Sequence, residues 1–92
     1  MLNLGETPKA IEHYKQAINS ARGIGYKRSE GIQLGNLGDI YLEQGHLIDA
    51  EAPLREAVSI CNEAMPPAAG AFRGSLALLL ARKDKLAEAK TL

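Results

Sequence analysis

Tryptophan is absent from this chain, cysteine occurs once, and aromatic residues fill only 4% of its 92 positions. A sheet draws on aromatic and β-branched side chains, so this composition favours close helix packing through alanine and leucine. The lone Cys61 excludes an internal disulfide and any paired-cysteine metal or redox motif. It mildly favours a reducing cytoplasm. Net charge is absent too, so the total predicts no attraction to nucleic acid or to a membrane. The longest apolar run, Leu76–Ala81, is far too short to span a bilayer. Met1-Leu2-Asn3-Leu4-Gly5 lacks the charged-then-apolar pattern of a signal peptide. No alternation of period two occurs, so no strand is expected.

Present instead is apolar content of 46%, normal for a globular or repeat protein. Charge is absent in total but not in distribution. Residues 1–28 carry five Lys/Arg and two Asp/Glu, residues 29–64 one and seven, residues 65–92 five and two. The segments run +3, −6 and +3. Solvated helix faces explain this. So does an acidic middle that attracts a basic partner or the basic ends of another copy.

Turn signals divide the chain into helices. Thr7-Pro8 reads as a cap followed by a first helical position. Ala10, Ile11, Tyr14, Ala17, Ile18 and Ala21 then recur at helical spacing, and Gly23 and Gly25 end that helix. A second helix is expected from about Lys27 to Gln44 and a third from about Leu47 to Asn62. Pro53 should bend the third helix without breaking it. A fourth is expected from about Ala68 to Arg82, with a short fifth piece capped by Asp84.

The pattern repeats. Aligning Gly5 with Gly45 places Ala10 on Ala50, Tyr14 on Leu54, Ala17 on Ala57 and Ile18 on Val58, a shift of forty. Aligning Leu37-Gly38 with Leu76-Ala77 places Tyr41 on Leu80, Leu47 on Leu86 and Ala50 on Ala89, a shift of thirty-nine. Two separate alignments give nearly the same period.

Leu34, Leu37, Gly38 and Tyr41, followed by Gly45, Ala50, Leu54 and Ala57, resemble the tetratricopeptide repeat. Asn62 stands where that family closes its repeat with proline. The longer period is similar to arrays in kinesin light chains, Leu-Gly-Asn polarity adaptors and large bacterial regulators. The resemblance implies an all-α fold of about five helices, stacked as antiparallel hairpins in an α-solenoid. Residues 1–25 would be the second half of a first repeat, 26–64 a complete central repeat and 65–92 a partial third. Met1–Leu4 would be the last turn of a first helix, and the whole a segment of a longer array.

His13 and His46 lack companions at metal-ligand spacing, and no serine has the surroundings of a nucleophile. The glycines at 31, 35 and 38 lie within a helical pattern and form no phosphate loop. No enzyme and no cofactor are expected. The resemblance implies instead a groove lined by Ile32, Asn36, Asp39 and Glu43, with Ala71, Ser75, Leu78 and Arg82 in the next repeat. Those four second-helix positions lie opposite Leu34, Leu37 and Tyr41. An asparagine amide both donates and accepts, which suits a peptide backbone. Asp39 and Glu43 would favour a basic ligand, unless Glu43 pairs with Arg82. Gly35 and Asp39 replace the lysine and asparagine of the carboxylate-clamping subgroup, which argues against that mode. The implied function is a protein-interaction scaffold. The alternatives are self-association through exposed end hairpins, or a sensor segment of a larger bacterial signalling protein.

Overall fold

The computed structural model describes residues 6–91, and the side chains of residues 7–87. The expectation for Met1–Leu4 lies outside the described residues. Four helices follow one another: α1 (Glu6–Ile24), α2 (Lys27–Glu43), α3 (Leu47–Ala64) and α4 (Pro66–Thr91). No strand occurs among the described residues.

Helix α1 is described from Glu6, so Thr7 lies within it and is not its cap. Thr7 and Pro8 both sit in the first described turn of α1. Two helix ends share one geometry. Gly25 takes φ +72 after α1, and Gly45 takes φ +78 after α2. In each, the next residue donates backward across the turn: Tyr26 to the Ala21 carbonyl at 2.8 Å, His46 to the Tyr41 carbonyl at 2.9 Å. Left-handed backbone is open to glycine without a Cβ penalty, which is why these two glycines end helices. Gly23 is still helical. Helix α3 continues through Pro53 to Ala64.

Helix α4 departs from expectation. It runs 26 residues without the break foreseen between Arg82 and Asp84. The chain thus has four described helices where about five were expected. The reason lies in the turn. Thirty-nine residues after Gly45 stands Asp84, not glycine. Left-handed backbone there costs about 1–2 kcal/mol. A continued helix avoids that cost.

Each helix packs on its neighbour in sequence: α1 on α2, α2 on α3, α3 on α4, with α2 also meeting α4. The result is elongated, 49 × 32 × 20 Å. Its radius of gyration, 14.0 Å, exceeds the ~12 Å of a compact chain of this length. The core centres on the α2–α3–α4 junction. Leu54, Leu79 and Cys61 are its largest fully buried side chains, joined by Ala50, Ala57, Ala69 and Phe72.

Three glycines on α2 set how closely its neighbours approach. A Cβ on Gly38 would lie 2.5 Å from Leu54 Cγ, and one on Gly31 2.7 Å from Cys61 Sγ, both on α3. A Cβ on Gly35 would overlap the Phe72 ring of α4. Their counterparts one repeat on are Gly70, Gly74 and Ala77, at the same shift of thirty-nine. These extend the internal repeat along the whole helix.

Candidate partner-binding surface

The apolar side of α2 is spent on packing, with Leu34, Leu37 and Leu42 buried. The opposite side carries Ile32, Asn36, Asp39 and Glu43. Ile32 is half-buried and leans on the core. Asn36 and Asp39 are half-buried, and Glu43 is exposed. On α4 the corresponding positions are Ala71 and Leu78, both exposed, half-buried Ser75, and exposed Arg82. The Gly35–Phe72 contact sets α2 and α4 side by side, so these two rows adjoin.

Arg82 does not pair with Glu43 as the sequence allowed. Its Nη1 donates to the Leu42 carbonyl at 3.3 Å, tying α4 to the last turn of α2. That carbonyl is near a helix end, where a cation also meets the negative end of the helix dipole.

The acidic middle of the chain divides into used and unused charges. Glu30 is buried, only 4% exposed. It accepts from Arg22 Nε at 3.0 Å and Lys27 Nζ at 3.4 Å. The Arg22 bond holds its carboxyl below the ordinary value despite desolvation, and Lys27 adds to this. Arg22 also reaches Glu56 at 3.0 Å, so one guanidinium of α1 joins α2 and α3. Glu51 accepts from Lys83 at 2.6 Å and Arg55 at 2.9 Å. Lys83 first, then Arg55, holds it below the ordinary value. The basic ends therefore attract the acidic middle within this same chain. Among the described residues, no side-chain bond or ion pair engages Asn36, Asp39 or Glu43.

Clefts lie elsewhere. One of about 350 Å³ is lined by Gly45, Leu47, Arg82, Lys85 and Leu86, at the α2–α3 turn. Another of about 270 Å³ lies between α1 and α2, against Lys15, Asn19, Leu34 and Leu37. Of the residues expected to bind a partner, Arg82 alone lines a described cleft. The rest form a surface row, which suits an extended ligand and not a small enclosed one.

Arg22, Glu30, Glu51, Lys83 and Phe72 are structurally central, and the sequence reading did not single them out. A signal existed for Phe72: it is the only phenylalanine, one helix away from three glycines spaced four and three apart. Lys27–Glu30 and Glu51–Arg55 have local helical spacing, but Arg22–Glu56 spans 34 residues and Glu51–Lys83 spans 32, and those two leave no local pattern. Cys61 is buried, and that desolvation pushes its thiol pKa up, which disfavours the thiolate. His13 is exposed, and His46 sits in the α2–α3 turn, 3.9 Å from Asp49. Among the described residues no helix is long and apolar enough to cross a membrane.

A family model described as "Tetratricopeptide repeat" matches residues 1–63. No match is found among curated proteins or solved structures.

Proposed function

The chain belongs to the tetratricopeptide repeat family, and from that premise we propose that it binds an extended basic peptide segment along the α2–α4 row. Repeats of this family mediate protein–protein interaction. One observation carries the finer reading. Glu30, Glu51 and Glu56 are each engaged by a basic side chain, whereas Asn36, Asp39 and Glu43 share one face of α2 with no side-chain bond among the described residues. Asn36 would hold the peptide backbone by donating and accepting at once. Asp39 and Glu43 would select positive charge and speed its approach. Ser75 and Leu78 continue the row on α4, with Leu78 offering exposed apolar surface. Arg82 closes the row and disfavours a basic residue at that end. The lone buried Cys61 suits a reducing cytoplasm.

The test uses a short lysine-rich peptide and a glutamate-rich control, with binding read by fluorescence anisotropy. The chain should bind the lysine-rich peptide, more weakly at high salt. Replacing Asn36, Asp39 and Glu43 together by alanine should leave the helical circular dichroism intact. It should weaken binding about tenfold or more, the equivalent of about 1.4 kcal/mol. Equal binding of both peptides, or undiminished binding by the variant, contradicts the assignment.

A further inference from the structure

The polar row on α2 has a fixed spacing that a ligand's side chains must match. Asn36, Asp39 and Glu43 follow one another at intervals of three and four residues. An α-helix rises about 1.5 Å per residue, so Asp39 and Glu43 stand about 6 Å apart along the axis, with Asn36 about 4.5 Å before Asp39. An extended chain rises about 3.3 Å per residue and turns successive side chains to opposite sides. Its residues i and i+2 therefore share one side at a spacing of about 6.6 Å.

The surroundings favour an extended occupant. Helices α2 and α4 run in the same direction: Gly35 lies against Phe72, and Arg82 reaches the Leu42 carbonyl further along. Of the row only Arg82 lines a described cleft, so there is no trough for a helix about 10 Å across. A helix also satisfies its own backbone and leaves nothing for the Asn36 amide, whereas an extended chain offers both N–H and C=O groups. The charge of the row is complementary to a basic ligand at two points. Asp39 and Glu43 carry it, and among the described residues no side-chain bond or ion pair occupies either. Arg82, thirty-nine residues after Glu43, bounds the acidic stretch.

We propose that the row reads spacing: it takes an extended peptide whose basic residues stand at i and i+2, one over Asp39 and one over Glu43, with Asn36 bonded to the backbone beside them. The inference rests on the row being the binding surface and adds the sequence pattern of its ligand. The residue between the two cations points away from α2, so its identity matters little. Adjacent basic residues offer only one of their side chains to the row, and so do basic residues at i and i+3. Residues at i and i+4 share a side but overshoot, at about 13 Å.

The test measures binding of synthetic peptides to the 92-residue chain by fluorescence anisotropy at low salt. The peptides are equal in length, each with two lysines in a neutral serine–threonine frame. The lysines are adjacent or separated by one, two or three residues, so total charge is constant. Lysines separated by one residue should bind about threefold tighter than the rest, the scale of one exposed charge pair. Glu43→Gln and Asp39→Asn keep side-chain size, and each should abolish that preference. Asn36→Ala should weaken every peptide alike, because it acts on the backbone. Circular dichroism checks that the variants fold. A preference that survives Glu43→Gln and Asp39→Asn overturns the proposal. Tightest binding by lysines separated by three residues overturns it in favour of a helical ligand. Equal binding of all four peptides, lost when Asn36, Asp39 and Glu43 are all alanine, overturns the spacing and leaves the row as the binding surface. No binding by any peptide, or binding undiminished in the triple variant, overturns the row and the spacing together.

Discussion

Gly35 and Gly74 hold the same position in successive repeats and face opposite conditions. Gly35 lies against the Phe72 ring, and nothing lies near Gly74. The contrast extends along both helices. Helix α2 is clasped by α1, α3 and α4, whereas the outer face of α4 is bare. The same residue type therefore does different work. On α2 glycine permits contact between helices. On α4 it only lowers helix propensity, by about 1 kcal/mol relative to alanine. A repeat pattern specifies a potential contact, and the neighbour decides whether it is made.

Substitutions can break this comparison. Leu54→Ala should cost the most, about 2–5 kcal/mol in urea unfolding, because it opens a cavity at a fully buried site. Tyr14→Ala, at the matching position of α1, should cost less because that side chain is only partly buried. Equal costs would mean that α1 is as enclosed as α3.

A smaller effect concerns the ion pairs. The Glu30 and Glu51 carboxyls are both held below their ordinary value of 4.5. Lower folded-state values mean that their stabilisation is fully present above that pH and is lost as pH falls through the folded values. Arg22→Ala should therefore destabilise most near neutral pH, and its deficit against the unaltered chain should shrink on acidification. Lys83→Ala should follow the same course more weakly, since Glu51 is partly exposed and solvent screens the pair. A deficit independent of pH would show that Arg22 acts through packing alone.

The sequence revealed the helices wherever turn chemistry was local. Gly25 and Gly45 end helices because only their positive φ closes those turns, and a sequence shows glycine directly. It misled at Asp84, where the period predicted a turn and the residue for it was missing. The packing role of Gly38, Ala50 and Ala57 was legible from repeat spacing. The charge segments were legible as a pattern, but their partners were not: Arg22 meets Glu56 across 34 residues, a pairing set by how α1 and α3 flank α2. The candidate row of Asn36, Asp39 and Glu43 followed from the helical wheel and the family resemblance. Its distinction from the other acids emerged only once Glu30, Glu51 and Glu56 were seen to be occupied.

The most direct test of the central contrast compares Gly35→Ala with Gly74→Ala by urea unfolding at neutral pH. The covered site should lose stability, by about 1–3 kcal/mol, as the new methyl group forces Phe72 aside. The open site should gain about 0.5–1 kcal/mol from helix propensity. Opposite signs support a closed central repeat beside an open third one. The same sign and size at both positions would contradict it.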